Sequence, residues 1–220
     1  MAAEPPNRGE QPPMSFAEMA LADLLDAFSS TDAVPGGGSA AALSGALGVS
    51  LLLMVARLPK TKTGAPEETA DLAEAASRLH PLRDFLIELV DRDSSAYRQV
   101  LGAFRLPKES DAQKAARGDA IDRATRTAID APLDTMRASQ QALRGAVVVA
   151  ANGSRRTTSD VGVAVELLGA ALRGARLNVE INLAGVNDPA YVARIREEAE
   201  ELEANGGADA ERARRALGES

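Results

Sequence analysis

The chain has 220 residues, of which 45% are hydrophobic and 3% aromatic, and this length predicts one domain with its own core. Its formal net charge of −7 argues against nucleic acid as a partner. Because the chain has no cysteine and only one histidine, disulfides, thiolate chemistry and a His-rich metal site are excluded, and acid–base work falls to carboxylates, lysines or hydroxyls.

Residues 1–13 contain four prolines and no apolar periodicity, which predicts a disordered tail. The segment also lacks a charged start followed by an apolar stretch, so we expect no secretory signal and a cytoplasmic protein. After the tail, Ser15 and Glu18 form a capping-box pattern, and apolar residues at helical spacing predict a first helix that ends at Ser29.

A proline, three glycines and a serine occupy residues 35–39 and precede an apolar or small-residue segment that runs to residue 58. The pattern predicts a loop followed by a helix with Ser39 as its N-cap and Pro59 at its end. Backbone N–H groups in such a loop approach a ligand closely, and the helix N-terminus favours a carboxylate, a phosphate or a polarised carbonyl. We therefore expect ligand contacts at Gly36, Gly37 and Gly38.

The helix after this loop has no polar face, so it is expected to be buried on all sides. Small residues along it, including Gly45 and Gly48, predict close approach of neighbouring helices, with a second subunit among the candidates. Two other interpretations of the segment stay open: a tight turn into a core helix, and a membrane span, for which the apolar run is short. A mononucleotide-binding loop is excluded because no Lys-Ser/Thr pair follows the glycines.

Residues 60–66 form a polar loop that carries Lys60 and Lys62, and its plain interpretation is a solvated turn. Helical periodicity then covers residues 67–104, where Pro81 is expected to kink or split the helix. Polar residues on this helix, including Asp93, form either a solvent-exposed face or part of a functional site.

Ser110 and Gln113 give a second capping box, for a helix that runs to about residue 151. The polar loop over residues 152–160 follows, and it places Asp160 at or beside the N-cap of the next helix. Capping alone is one explanation of Asp160.

That next helix covers residues 161–183, and Asn178 and Asn182 lie four residues apart on one face of it. Their amides need a partner, either another helix or a ligand. A last helix begins at Pro189, and residues 206–220 are expected to form a charged tail. With no strand pattern, the prediction is an all-α, single-domain helical bundle over residues 14–205.

Five motifs occur in order along the chain: Pro35-Gly36-Gly37-Gly38-Ser39, Asp91-x-Asp93-x-x-Ala96-Tyr97, Leu106-Pro107-Lys108, Ser159-Asp160 and Asn178-Val-x-Ile-Asn182-Leu183. Together they make the chain resemble the cyclodeaminase/cyclohydrolase family, which includes the cyclodeaminase half of formimidoyltransferase-cyclodeaminase and stand-alone methenyltetrahydrofolate cyclohydrolases. The resemblance implies an all-helical, dimer-forming domain that acts on a one-carbon tetrahydrofolate without a metal or redox cofactor.

The chain departs from the family pattern in two places. Leu58-Pro59-Lys60-Thr61-Lys62 stands where relatives usually have a Thr-x-Gly-Lys/Arg segment, and the gap from Asn152 to Ser159 is seven residues where relatives have five. A second function therefore stays open: a non-catalytic helical homologue that keeps a folate or small-molecule pocket.

Both family reactions pass through a tetrahedral carbon flanked by nitrogens, which requires a positioned acid–base group. The resemblance makes Asp160 and Asp93 the expected acid–base residues, with Ser39 and the glycine N–H groups orienting the pterin or a carboxylate. Asn178 and Asn182 are expected to bind polar ring edges. The cations expected to attract the anionic glutamate tail of the folate are Lys60, Lys62, Arg155 and Arg156.

Overall fold

The computed structural model describes residues 15–218 and confirms the all-α prediction. Its α-helices are α1 (Leu21–Ser29), α2 (Gly37–Ala56), α3 (Pro66–Phe104), α4 (Asp111–Asn152), α5 (Thr158–Leu183) and α6 (Pro189–Gly218). Short 3-10 helices at Phe16–Glu18 and Arg155–Thr157 precede α1 and α5. Over this part of the chain the only β-type pairing is one isolated bridge between Thr61 and Gly153. The tail predicted for residues 1–13 lies outside the described residues.

Helix α2 lies at the centre of the bundle, where it packs against α3, α4 and α5, while α6 covers α4 and α5. α2 and α5 are antiparallel, since Gly37 lies beside Asn178 and Gly48 beside Leu168. The two helices approach closely, because a Cβ on Gly48 would come within 2.8 Å of the Leu168 Cγ. The small residues of α2 thus serve close packing within one protomer.

The segment before α2 is not the single helix that the sequence predicts. A 3-10 turn at Phe16–Glu18 is followed by two extended residues, and only then does α1 begin. Ser15 does not cap this turn, because its hydroxyl donates to the Asp91 carboxylate at 2.5 Å. The Phe16 N–H donates to the same carboxylate at 2.7 Å, so Asp91 ties this segment to α3.

The boundaries and burial of α2 also differ from the prediction. Its N-cap is Gly36, and it ends at Ala56, before Pro59. It is not buried on all sides, because Leu47 is 52% exposed and Met54 is 40% exposed. By length and composition α2 is apolar enough to cross a membrane, but 61% of its most apolar window is buried inside the bundle, as in a core helix.

Helices α3 and α4 are continuous through their internal prolines, Pro81 and Pro132. The capping box predicted for α4 is confirmed: the Gln113 N–H donates to the Ser110 hydroxyl at 3.2 Å, and the Ser110 N–H donates to the Gln113 side-chain oxygen at 3.0 Å. Tertiary packing keeps both helices intact, because each lost backbone hydrogen bond is small against the apolar surface that the helix buries.

Helix α6 contradicts the prediction of a charged tail over residues 206–220, because it continues to Gly218. Its far half is packed: Asp209 is 1% exposed, accepts a hydrogen bond from Gln140 Nε2 at 3.1 Å and pairs with Arg212. Two consecutive glycines weaken a helix in isolation, which is why the sequence pattern stops there. Packing of Gly206 against α4 and α5 overrides that local preference.

The two glycines of α6 give a matched test of this packing. A Cβ on Gly206 would lie 2.4 Å from the Leu172 Cδ2, whereas one on Gly207 would meet nothing within 4 Å. Gly206→Ala should lower the free energy of unfolding by about 1–3 kcal/mol through overpacking. Gly207→Ala should raise it by about 0.5–1 kcal/mol through helix propensity. Chemical denaturation measures both values, and equal effects would contradict a packed α6.

Candidate active site

A cavity of about 170 Å³ lies where the N-terminus of α2 meets α3 and α5. Its polar side chains are Asp93 and Tyr97 from α3 and Asn178 and Asn182 from α5. The rest of the wall consists of small or apolar residues: Ala33, Val34, Gly36, Gly37, Gly38, Ala128 and Ile181. Three motifs that are far apart in the sequence therefore meet at one cavity.

The three glycines of this wall are not equivalent. A Cβ on Gly38 would lie 2.1–2.7 Å from the carboxylate atoms of Asp93, so only glycine leaves room for that side chain. A Cβ on Gly37 would meet the Asn178 amide at an ordinary 3.5 Å, and one on Gly36 would meet nothing within 4 Å. All three glycines line the cavity, so the ligand contacts predicted at each stay a prediction, and the close approach to another side chain is confined to Gly38.

The Asp93 carboxylate is held against the N-terminus of α2. The Ser39 N–H donates to its Oδ2 at 3.0 Å, and the Ser39 hydroxyl lies 3.1 Å from the same oxygen. That hydroxyl also donates to the Val90 carbonyl at 2.7 Å, and its single hydrogen cannot serve both acceptors at once. Asp93 therefore has one constant donor, the Ser39 N–H.

Burial raises the pKa of Asp93 above its ordinary value, and the hydrogen bonds from Ser39 oppose this only in part. A raised pKa brings proton exchange closer to neutral pH, which is the property that a general acid or base requires. Among the side chains that line the cavity, Asp93 carries the carboxyl group, and its pKa is raised.

Ser39 does not have the role that the sequence predicts. It lies inside α2 and is fully buried, so it is neither the N-cap of that helix nor a group that reaches the cavity. Its hydroxyl contacts the Val90 carbonyl and the Ser94 hydroxyl, the latter at 3.1 Å. Ser39, which in turn contacts Ser94, therefore positions the Asp93 carboxylate without itself lining the cavity.

Asn178 and Asn182 each use the side-chain nitrogen within the protein. Asn178 Nδ2 donates to the Gly174 carbonyl and Asn182 Nδ2 to the Ala128 carbonyl, both at 2.9 Å. Both side chains line the cavity, so their amide oxygens remain as acceptors for ligand N–H groups. The second bond also joins α5 to α4 and fixes the position of Asn182.

Tyr97 is a cavity residue that the sequence analysis did not assign to the site. It lies four residues after Asp93, on the same face of α3, and its side chain is 41% exposed. The signal was present in the Asp93-x-x-Ala96-Tyr97 motif, because i and i+4 residues of a helix share a face. A tyrosine ring beside two amides offers a flat surface for an aromatic ligand.

Asp160 lies at the opposite end of the bundle. It belongs to the first turn of α5, whose N-cap is Thr157, so it is not a cap. It precedes Asn178 by 178 − 160 = 18 residues, which is about 27 Å along the helix. Because α2 and α5 are antiparallel, Asp160 and Asp93 do not meet in one protomer, contrary to the prediction that they share the chemistry.

The predicted cations are also at that far end. Lys60 and Lys62 follow α2, and Arg155 and Arg156 precede α5. The Lys62 N–H donates to the Asn152 carbonyl at 2.9 Å, which joins the two loops. None of the four lines the cavity.

The lysine loop is a folded turn built on Glu68. The Glu68 carboxylate accepts hydrogen bonds from the Thr61 hydroxyl at 2.6 Å and from the N–H groups of Thr63 and Gly64 at 2.9 and 3.1 Å. These bonds lower the pKa of Glu68 to about 2. The loop that departs from the family pattern at residues 58–62 is therefore stabilised by hydrogen bonds to the Glu68 carboxylate.

Asp160→Asn should change stability little. Asp160 is half-buried in the first turn of α5, where its charge interacts favourably with the helix dipole, an effect worth about 0.3–2 kcal/mol. We expect the free energy of unfolding to fall by no more than about 2 kcal/mol, measured by urea denaturation. A loss of several kcal/mol would show that Asp160 makes a buried contact.

The chain is similar in sequence to a protein family and to individual proteins with named activities. The profile of the family described as Formiminotransferase-cyclodeaminase matches residues 20–201. Methenyltetrahydrofolate cyclohydrolase from Methylorubrum extorquens is 40% identical over 189 residues, which is 86% of this chain and 91% of that protein. Formimidoyltransferase-cyclodeaminase from Sus scrofa is 31% identical over 189 residues, which is 84% of this chain but only 34% of that protein. The chain thus spans about a third of the two-activity protein.

The fold is similar to that of a solved structure. The crystal structure of formiminotetrahydrofolate cyclodeaminase from Thermotoga maritima matches 92% of this chain and 97% of that chain, with a TM-score of 0.81. The sequence identity is 24%, so this comparison concerns the fold alone.

Proposed function

The chain belongs to the formiminotransferase-cyclodeaminase family, and from this we propose that it is an enzyme that acts on the one-carbon unit of a tetrahydrofolate. The reaction is either hydrolysis of the methenyl bridge or cyclisation of the formimidoyl group with loss of ammonia. The first is favoured, because the cyclohydrolase from Methylorubrum extorquens is similar over nearly its whole length. The cytoplasm is the proposed location.

The observation that carries this proposal is the Asp93 carboxyl group, which lines the cavity, accepts a hydrogen bond from the Ser39 N–H and fits beside α2 because residue 38 is glycine. In the cyclohydrolase reaction, water adds to the bridging carbon and loses a proton, and one carbon–nitrogen bond then breaks to leave a formyl group. Asp93 is the proposed acceptor of the water proton and its donor to the departing nitrogen. A pKa raised towards neutrality suits both steps.

The remaining cavity residues orient the pterin ring in this proposal. The amide oxygens of Asn178 and Asn182 accept hydrogen bonds from ring N–H groups, and the Tyr97 ring packs against the face of the pterin. In the cyclodeaminase reaction the same arrangement serves in a different way: N10 attacks the formimidoyl carbon, Asp93 accepts the proton that N10 loses, and Asp93 then gives a proton to the amino group, which leaves as ammonia.

Paired assays distinguish the two reactions from each other and from a homologue without turnover. The purified chain is given methenyltetrahydrofolate, whose absorbance decays on hydrolysis, or formimidoyltetrahydrofolate, whose cyclisation releases ammonia. A cyclohydrolase should accelerate only the first reaction above the buffer rate, and a cyclodeaminase the second. Tight binding of both compounds without either reaction would support the non-catalytic alternative.

We also propose that the chain is a homodimer that joins the outward faces of α2 and α5. Exposed apolar side chains occur along both helices, among them Leu47, Met54, Val163 and Leu177. Leu167 of α5 packs beside Gly48 of α2, so the two exposed faces adjoin. Burying such a surface in a twofold interface is the simplest way to cover it.

The dimer gives a direct mass prediction. Light scattering at micromolar concentration should report twice the chain mass of 22.9 kDa, that is 2 × 22.9 = 45.8 kDa. Leu47→Glu should reduce the mass to one chain, because two like charges would face each other in an apolar interface. A folded wild-type monomer would contradict the proposal.

A further inference from the structure

The polar groups that line the cavity attract positive charge. They are the Asp93 carboxyl group, the side-chain oxygens of Asn178 and Asn182, and the Tyr97 ring, whose face attracts cations. Each asparagine directs its side-chain nitrogen to a backbone carbonyl, so its oxygen is left for a ligand. Among the described residues that line the cavity, none is a lysine, an arginine or a histidine. The wall therefore offers acceptors without a cation to fill them.

Two arginines of α3 adjoin cavity residues in the sequence, but both are engaged elsewhere. Arg92 forms an ion pair with Asp134, with 3.3 Å between nitrogen and oxygen. Arg98 lies over the ring of Phe16, 5.7 Å from its centroid. Neither guanidinium lines the cavity, so neither supplies the charge that its acceptors lack.

The other titratable groups near the cavity do not favour an anion either. The segments of α2, α4 and α5 that line it carry no titratable side chain, and α3 contributes Asp93 and Tyr97. Asp91, two residues before Asp93, accepts hydrogen bonds from the segment before α1. In the segment before α2, Asp32 precedes the wall residue Ala33 and adds a negative charge.

The N-terminus of α2 favours an anion, but the chain itself supplies that anion. The Ser39 N–H donates to Oδ2 of Asp93 at 3.0 Å, which places a carboxylate at this helix end. Among the described residues, no donor is hydrogen-bonded to the other carboxylate oxygen, Oδ1. A second anion would be repelled by Asp93, whereas a cation would find an oxygen that is still free.

The two candidate substrates carry the same kind of cation at the reacting carbon. In methenyltetrahydrofolate, the bridging carbon and its two nitrogens share one positive charge. The formimidoyl group is an amidine, which is protonated at neutral pH. Both are planar N–C–N amidinium units, whereas the formyl group that hydrolysis leaves is neutral.

We propose that the cavity is an amidinium site, in which Asp93 pairs with the N–C–N cation while the two asparagine oxygens and the Tyr97 ring surround it. The naming of a folate as the source of this cation rests on the proposed function. A site for the reacting unit alone agrees with a cavity volume of about 170 Å³, because pockets for whole ligands usually occupy about 300–1,000 Å³.

The pairing prepares Asp93 for its chemical role. Burial favours the neutral acid of Asp93, which is not the form that takes a proton from water. A cation bound beside it stabilises the carboxylate and lowers its pKa again. Hydrolysis converts the cationic bridge and one water into a neutral formyl group and one released proton. The product should therefore bind at least about tenfold more weakly than the substrate, because a charge-assisted hydrogen bond is lost.

Three planar fragments of nearly the same shape test the site without turnover: acetamidinium, acetamide and acetate, with charges of +1, 0 and −1. Their binding at neutral pH is followed through the NMR signals of the Gly36, Gly37 and Gly38 N–H groups. Acetamidinium should bind at least about tenfold more tightly than acetamide, and acetate more weakly than both. Acetamidinium that binds no more tightly than acetamide, whether both bind or neither does, would overturn the proposal, and so would a preference for acetate.

Two variants and the pH dependence identify the group responsible. Below the pKa of Asp93 in the free protein, acetamidinium affinity should fall by up to about tenfold per pH unit, because the neutral acid must lose its proton to pair with the cation. Asp93→Asn should remove this pH dependence and the preference over acetamide. Asp91→Asn should keep both, since Asp91 does not line the cavity. An unchanged preference in Asp93→Asn would overturn the proposal.

Inhibition of turnover separates this inference from the proposed function. Acetamidinium should compete with methenyltetrahydrofolate in the wild-type chain, and acetamide should need at least about tenfold higher concentrations. If the fragments bind as predicted but neither folate is turned over, the proposed function alone is contradicted. If turnover is normal but acetamidinium neither binds nor inhibits, the amidinium site alone is contradicted.

Discussion

Asp93→Asn should reduce turnover by about 100- to 10,000-fold, because an amide cannot exchange the proton that the reaction moves. Binding should be affected less, since asparagine has nearly the same shape and its oxygen can still accept the hydrogen bond from the Ser39 N–H. Steady-state kinetics with methenyltetrahydrofolate should therefore show the loss in kcat rather than in KM.

The same variant should not lose stability at neutral pH. Burial raises the pKa of Asp93 in the folded chain above its unfolded value of about 3.9, so the folded state prefers the neutral acid. The protonated Asp93 carboxyl group contributes fully to the free energy of unfolding below that unfolded pKa. This contribution is lost as pH rises through the pKa of the folded state. At neutral pH asparagine removes this penalty, and the free energy of unfolding should stay equal or rise.

Asp91→Asn is the matched control for Asp93→Asn. Asp91 lies two residues earlier on α3, but its carboxylate accepts hydrogen bonds from Ser15 and Phe16 and does not line the cavity. Its substitution should leave kcat within about a factor of three while weakening the attachment of the N-terminal segment. Equal kinetic losses in both variants would show that α3 is disturbed generally and that Asp93 has no special chemical role.

Gly38→Ala should produce the second large effect. The added methyl group would lie within 2.1–2.7 Å of the Asp93 carboxylate, so this side chain must move out of its position. We expect the free energy of unfolding to fall by about 1–3 kcal/mol through overpacking. Turnover should fall by at least about 100-fold, because a displacement near 1 Å at a catalytic group has effects of this size.

Gly36→Ala controls for the folding effect of Gly38→Ala. A Cβ at that position meets nothing within 4 Å, and its backbone φ of −123° is accessible to any residue. The free energy of unfolding should remain within about 0.5 kcal/mol of wild type. If Gly38→Ala is as stable and as active as wild type, the close packing between Gly38 and Asp93 is not a feature of the folded protein.

The helices follow from local patterns, whereas the meeting of three distant motifs at one cavity was expected only from the family resemblance. Apolar periodicity predicts α3 and α4, and a capping box marks the start of α4. Residues on one helix face can also be paired from sequence alone, as with Asn178 and Asn182. These features depend on neighbours within a few residues, which the sequence displays directly.

Features that depend on packing between distant segments could not be predicted in this way. Ser39 matches an N-cap by type, but α2 already begins at Gly37, and the Ser39 hydroxyl instead donates to the Val90 carbonyl of α3. Asp160 matches a family motif, yet the antiparallel course of α2 and α5 carries it to the far end of the bundle. Gly206 signals a helix end locally, whereas burial against Leu172 keeps α6 intact.

The most direct test of the central claim is the decay of methenyltetrahydrofolate absorbance with the wild-type chain and with Asp93→Asn at equal concentrations. The account predicts a rate above the buffer reaction that rises in proportion to wild-type protein and is nearly absent in the folded variant. Its acid limb should have a midpoint above about pH 3.9, because a base with a raised pKa loses its charge at higher pH. Equal rates for the two proteins would contradict the assignment of folate chemistry to Asp93.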